Sequence, residues 1–235
     1  MKGKSIRIVG HSNFLKDLIH NRITDRMIHK ITNNSPPNLT ICFQLGEFLE
    51  TEIITPCIII RPWNENIVSF NIENCVELHL RDLLCIDLKK EWGNNDILDW
   101  VNALDSNSPL DLENYPMRFW ISIKDVISLI ETLIELPEVP KLVTSVCGRR
   151  PWIAKDVFSE LKMLWRRIDN AKKNTIDHTD LEVKTLPVTN VKLESGNPDL
   201  SKLHNLIKPL NERGWSPNTP LRISLMGCLE GFLKK

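Results

Sequence analysis

A chain of 235 residues with a single tyrosine and only nine glycines is poor in the residues that build most phosphate loops and many acid/base sites. It has no apolar run approaching the ~20 residues of a membrane-spanning helix, so no span is expected. It has no internal repeat and no low-complexity segment. Its formal net charge is +0, so the total charge calls for neither nucleic acid nor an anionic membrane surface. The six cysteines (Cys42, Cys57, Cys75, Cys85, Cys147 and Cys228) form no CxxC pair. They read as buried, reduced thiols of a cytoplasmic protein, not as a disulfide frame or a zinc site. The six histidines show no metal-ligand spacing, so no metal is expected. A Gly-x-Ser-x-Gly elbow is also missing. A hydrolase would therefore rest on Ser12 beside His11, where helix capping by Ser12 or Asn13 is the competing role.

What is present is an alternation of apolar strands and amphipathic helices. Strands are expected at Ser5–Val9, Leu39–Phe43, Cys57–Arg61 and Val76–Leu84, each bounded by Pro, Asn or Gly. Helix is expected around Phe14–Ile31. Further on, Asn94 or Asn95 caps a helix with Ile97, Leu98, Val101 and Leu104 inward, and "RFWISI" is a short strand. Asp125 then caps a helix bearing Val126, Ile127, Ile130, Leu133 and Ile134. "LVTSV" is a strand closed by Gly148, and Trp152 to Asn170 is an amphipathic helix. A last helix has Thr219 as cap and Pro220 in its first turn. The polar stretch between Asn174 and Pro198 is loop-like, with a strand allowed at Leu181–Val183.

These elements predict an α/β fold, a mainly parallel sheet flanked by helices. Residues 1–90 form the first part. Residues 91–235 form a C-terminal part of helices and returning strands, packed with the first as one compact unit. Charge is uneven: Glu91 to Glu138 is acidic and Lys141 to Lys173 basic. Such faces are commonly just solvated, but Arg149 and Arg150 directly follow a strand end, where an anionic ligand is the sharper alternative. Trp152 and Trp165 within the basic segment leave a nucleic-acid or interaction module as a further alternative, although no RNA-binding signature accompanies them.

Four segments carry a resemblance. "MRFWISIKDVISLIETLIE" is similar to the Arg-Asp-Phe-(apolar)-x-(apolar)-x-Asp segment of the extended short-chain dehydrogenases, the NAD-dependent nucleotide-sugar epimerases, dehydratases and reductases. "LVTSVCGRRPW" resembles the strand and glycine turn that follow. "PDLSKLHNLIKPLNERGWSPNTPLRISLMGCLEGFLK" resembles the family's close: Asp-x-Ser-Lys, a short helix, Gly-Trp-x-Pro and a final helix. "VELHLRDLLCID" fits the sixth strand. The resemblance covers about Val76 to Lys235, with a weaker match at Ser5 to Ile19.

The resemblance implies that residues 1–90 form a reduced Rossmann-like sheet and that the C-terminal part holds a small helical substrate-type region. It implies NAD(P) as cofactor, with Gly10, Ser12 and Asn13 at the pyrophosphate, and a nucleotide sugar whose phosphates meet Arg118, Arg149 and Arg150. It also implies a homologous short-chain dehydrogenase-like partner or self-association. The sequence departs from the family in two places. The glycine turn G-x-x-G-x-x-G keeps Gly10 but has Asn13 and Lys16 at the other two positions. The family's tyrosine is followed four residues later by lysine, whereas Tyr115 is followed by Pro116, Met117, Arg118 and Phe119. Too few residues separate Val9 from Val76 for the usual strands two to five. The expectation is a protein without the usual Tyr-x-x-x-Lys chemistry, a non-catalytic or partner subunit in nucleotide-sugar or polysaccharide metabolism. The alternative is an active enzyme using Tyr115, Asp87 or His79.

Overall fold

The computed structural model describes residues 3–33, 35–46, 53–85, 92, 95–175 and 198–234. Leu181–Val183, Asp87 and Asn94 lie outside them. Six strands form one sheet: β1 (Ser5–Gly10), β2 (Lys30–Ile31), β3 (Leu39–Phe43), β4 (Cys57–Pro62), β5 (Cys75–Leu80) and β8 (Leu142–Val146). Their order is β2-β1-β3-β4-β5-β8 and every pairing is parallel. A separate parallel pair joins β6 (Leu83–Leu84) to β7 (Ile121–Ser122). The sheet is the parallel, Rossmann-like one expected.

Every residue of β3 and β5 is buried, which is why these strands read as nearly continuous apolar runs. Alternation along the strands separates two faces. One carries Ile6, Ile41, Ile58, Ile60, Val76 and Leu78 into the main core. There they meet Leu15, Ile19 and Ile23 of α1 (Phe14–Arg26) and the apolar stripe of α3 (Ile123–Ile134). Arg22 and Arg26 of α1 also pair with Glu131 of α3. The opposite face carries Cys42, Cys57, Ile59 and Cys75, packed by Val9, Ile53, Phe70 and Ile72. No described helix contributes a residue to that cluster. The irregular segment 63–74 covers part of it through Phe70 and Ile72.

A second apolar cluster joins α2 (Asp96–Asp105), α4 (Ala154–Lys172) and α6 (Leu221–Leu233) around Trp100, Trp120, Leu161 and Leu229. Between α4 and α6, the short α5 (Ser201–Ile207) returns Leu203 and Ile207 to the main core. The second half of the chain therefore supplies the edge strand β8 and two helices to the core of the first.

Several local expectations are corrected. The first helix ends at Arg26, not near Ile31, because Met27 turns left-handed at φ 53. The chain then runs alongside β1, with Lys30 N–H on Lys4 O and Thr32 N–H on Ile6 O. The strand expected over Val76–Leu84 breaks after Leu80, where Asp82 adopts φ 54 and redirects Leu83 and Leu84 to β7. Asp125 does not cap its own helix. Ser122 holds that place, accepting from Lys124 N–H at 3.3 Å. The Asp125 carboxylate instead accepts from Thr219 N–H at 3.1 Å and Thr219 Oγ1 at 2.8 Å, fastening the start of α6.

Candidate functional site at the carboxyl rim of the sheet

The order of strand addition reverses at β1: β2 lies on one side of β1, and all later strands of the sheet lie on the other. In open α/β sheets the crevice beyond such a switch point is where ligands bind. Gly10 ends β1 there at φ +88, and a Cβ on it would lie 2.1 Å from Phe43 O, so glycine is required by the close approach of β3. His11 follows and bridges the two strand ends. Its N–H donates to Phe43 O at 2.7 Å, and its Nδ1 lies 3.3 Å from Leu45 N. Asn13 is buried and caps α1, its Oδ1 accepting from Lys16 N–H at 2.9 Å. Ser12 is exposed. Lys16 does not wedge helix from strand as its place in the glycine pattern suggests. Its ammonium folds back onto Gly10 O at 2.7 Å, while Leu15 takes the buried position.

Beyond β8, Gly148, Arg149 and Arg150 line a cavity of about 270 Å³ with Leu84, Trp120, Ser122, Trp152 and the first residues of α6. Gly148 is another close approach, since a Cβ there would meet Trp120 O at 2.2 Å. Arg149 and Arg150 are exposed, and the Arg150 guanidinium lies 3.7 Å from the centre of the Trp152 ring. Stacking in this way orients a planar cation while leaving its N–H edge for acceptors.

Arg118 is placed differently. Its Nε donates to Asp96 Oδ2 at 2.9 Å and its Nη1 to Asp82 Oδ1 at 3.3 Å. Its backbone pairs with Trp152 in an antiparallel bridge. Burial raises the Asp82 carboxyl above its ordinary range, against the lowering effects of the Phe119 amide and of Arg118 and Arg81. Tyr115 sits in the second apolar cluster, edge-on to Trp100 with ring centres 5.3 Å apart. Burial, followed by the charge of Asp99, pushes its hydroxyl up, the opposite of an activated base. Five of the six thiols are buried, and Cys85 is partly so. Burial raises Cys42 to about 11, whereas Cys57 is lowered by a hydrogen bond with Cys75. None of the six cysteines forms a disulfide. Of the interleaved tryptophans, Trp165 packs edge-on to Phe232 at 6.0 Å.

His79 is the acid/base candidate that reaches a cavity. It lies on β5 facing away from the main core, is 6% exposed, and lines a hollow of about 620 Å³ with Trp63, Arg81, Thr144 and Ser145. Its Nε2 is 2.8 Å from Glu77 Oε1, which also accepts from Arg61 Nη1 at 2.7 Å. Glu77 Oε2 accepts from Phe70 N–H at 2.9 Å. Burial alone would raise the Glu77 carboxyl, but hydrogen bonds from His79, Arg61 and the Phe70 amide together hold it below its ordinary value. The roles of Arg61 and Glu77 escape a reading of the chain by motif. Their signal was charged residues inside apolar strands, which are informative because such positions are seldom fully buried without partners.

No family model and no curated protein matches the chain. Solved structures do. RMD from Pseudomonas aeruginosa, complexed with NADPH, is similar with a TM-score of 0.63 at 10% identity, over 99% of this chain and 98% of that one. UDP-glucose 4-epimerase from Thermotoga maritima, with UDP-glucose, gives 0.60 at 11% identity, over 98% and 99%. dTDP-glucose 4,6-dehydratase from Bacillus anthracis, in complex with NAD, gives 0.59 at 10% identity, over 98% and 97%. Among the described residues no helix is long and apolar enough to cross a membrane, and no cluster of His, Cys, Asp and Glu is placed to hold a metal. With so few residues identical, what the chain shares with these proteins is their fold, that of the nucleotide-sugar epimerases and dehydratases.

Proposed function

We propose that the chain is a nucleotide-sugar-binding member of this fold that lacks the Tyr-x-x-x-Lys chemistry and works as a non-catalytic or partner subunit in nucleotide-sugar or polysaccharide metabolism. The observation that carries this is Tyr115. It is packed on Trp100 in the second cluster, is followed by Pro116, and lines none of the cavities described at the carboxyl rim. Arg149 and Arg150, by contrast, line a cavity there, with the planar N–H edges that suit diphosphate oxygens. Arg118, held by Asp82 and Asp96, positions the turn before β7 in this account and leaves the phosphate to the other two.

The residues of the β1 crevice do not fit a dinucleotide as they stand. His11 joins the ends of β1 and β3, the Lys16 amide is taken by Asn13, and the Lys16 ammonium lies on Gly10 O. A pyrophosphate at Gly10, Ser12 and Asn13 would have to displace these contacts, so no step is assigned to NAD(P). A homologous short-chain dehydrogenase-like subunit, or a second copy, would supply chemistry that this chain does not.

Thermal unfolding with UDP-glucose and dTDP-glucose tests the proposal. Ligand at a hundredfold excess over Kd stabilises by about 2.7 kcal/mol, a rise of roughly 5–10 °C for a domain of this size. The shift should vanish in the Arg149→Ala, Arg150→Ala double variant. Absence of any shift, or turnover of a nucleotide sugar by the isolated chain through Tyr115, would sink it. A second reading, an active enzyme with non-standard residues, is favoured by one observation: His79 in its cavity, hydrogen-bonded to Glu77. Turnover lost on His79→Gln would select it.

A further inference from the structure

Arg61, Glu77 and His79 form a buried network of charged groups on the sheet face opposite the main core, and the proposed non-catalytic role makes no use of it. Burying such groups is costly, and apolar replacements of the same volume are often as stable. What the network provides is orientation. Arg61 is fixed at both ends of its guanidinium, with Nη1 on Glu77 Oε1 and Val68 O, and Nη2 on Gly46 O at 2.6 Å. Its plane lies 4.2 Å from the centre of the Phe70 ring. Glu77 is thereby held by a cation on one oxygen and by the Phe70 amide on the other.

An ionised carboxylate only accepts hydrogen bonds, so the proton between Glu77 and His79 belongs to His79 Nε2. With that proton on Nε2, a ring carrying a single proton has its lone pair on Nδ1. Among the described residues Nδ1 has no hydrogen-bond partner, and the ring lines the hollow beside β8. Ser145 is the register partner of His79 and shares its face of the sheet, and Thr144 lines the same space. Trp63 forms another wall, its ring held by the Arg81 guanidinium at 4.3 Å. Among the described lining residues the charges balance: Arg81 and Lys202 against Glu65 and Asp199. A volume of about 620 Å³ lies within the range of small-molecule sites.

We propose that this hollow is a ligand site in its own right, taking an uncharged hydroxylated molecule of monosaccharide size, with His79 Nδ1 accepting a hydrogen bond from one of its hydroxyls. Two cations against two carboxylates among the described lining residues favour an uncharged ligand over an anion, which separates this site from the Arg149–Arg150 cavity. Hydroxyls at Thr144 and Ser145 and an indole wall suit a polyol, which has donors and acceptors on its edges and C–H groups on its faces. His79 and Ser145 are contact residues; Glu77 and Arg61 are positioning residues.

The test is histidine-selective nitrogen-15 NMR of the full chain, titrated with D-glucose and D-galactose, and in parallel with inorganic phosphate and glycine. The free protein should show His79 protonated on Nε2. A neutral monosaccharide should shift its Nδ1 resonance saturably, with the same affinity in the Arg149→Ala, Arg150→Ala variant. Ser145→Ala, which keeps the strand ladder, should weaken that binding about tenfold. Glu77→Gln should populate the other tautomer, a change that a purely packing role would not produce. If Glu77→Gln fails to fold, the tautomer of the wild type and the Ser145→Ala titration still decide. A ring protonated on Nδ1, no saturable response to either sugar, or a response to phosphate or glycine alone would overturn the proposal.

Discussion

Gly10 and Glu77 carry most of what single residues decide here. At Gly10 the backbone is at φ +88, and β3 passes so close that an added Cβ would lie 2.1 Å from Phe43 O. Gly10→Ala should therefore cost at least about 2 kcal/mol in urea unfolding, and a cost near zero would mean that β1 and β3 are not so close. Glu77 titrates below its ordinary value in the folded chain and near ~4.3 when unfolded. The stability it confers is thus fully present above the unfolded value and is lost as pH falls through the folded one. In acid the wild type should lose stability more steeply than Glu77→Gln, and parallel curves would contradict the assignment. Gly10 was legible because a glycine between an apolar strand and a helix marks a tight corner. The surroundings of Arg118 were not. Its carboxylate partners stand 22 and 36 residues earlier, and nothing local in the chain connects them.

Among the elements, α3 and α6 show how a side chain at one helix start governs another. Asp125 has the position of a local cap, yet its oxygens accept from Asn218 N–H, Thr219 N–H and Thr219 Oγ1 across the fold. Asp125→Ala should cost about 2–4 kcal/mol, because it leaves the start of α6 unsatisfied in a buried setting, and should loosen the Arg149–Arg150 cavity that both helices line. Chemical denaturation of the variant checks this, and a loss under about 1 kcal/mol would return Asp125 to a surface role. Periodicity identified α2, α3, α4 and α6 because each has a clear apolar stripe. It overran α1, where a left-handed Met27 halts the helix without a glycine or proline to announce it. It also merged β5 and β6, since Arg81 and Asp82 interrupt an otherwise strand-like run at a residue whose φ of 54 the sequence does not reveal.

Among the described residues, one sheet face packs against α1, α3 and α5, and the other carries the segment 63–74 and a buried network of charged groups. The parallel sheet and its closing helices were legible because strand and helix patterns alternate and the last segment resembles a family's ending. The two cavities at β8 were not, because they depend on residues after β4, on β5, β6, β7 and β8, and at the starts of α5 and α6 meeting at one edge. Sugar-nucleotide binding and dinucleotide binding, seen in the epimerase with UDP-glucose and the dehydratase with NAD, come apart in this account. On the proposed function, this chain would keep a place for the first and not for the second. The most direct measurement is thermal unfolding of the purified chain with UDP-glucose and with NAD, side by side. The account predicts a rise of several degrees with UDP-glucose that disappears in the Arg149→Ala, Arg150→Ala variant, and none with NAD. Stabilisation by NAD with indifference to the nucleotide sugar would contradict it.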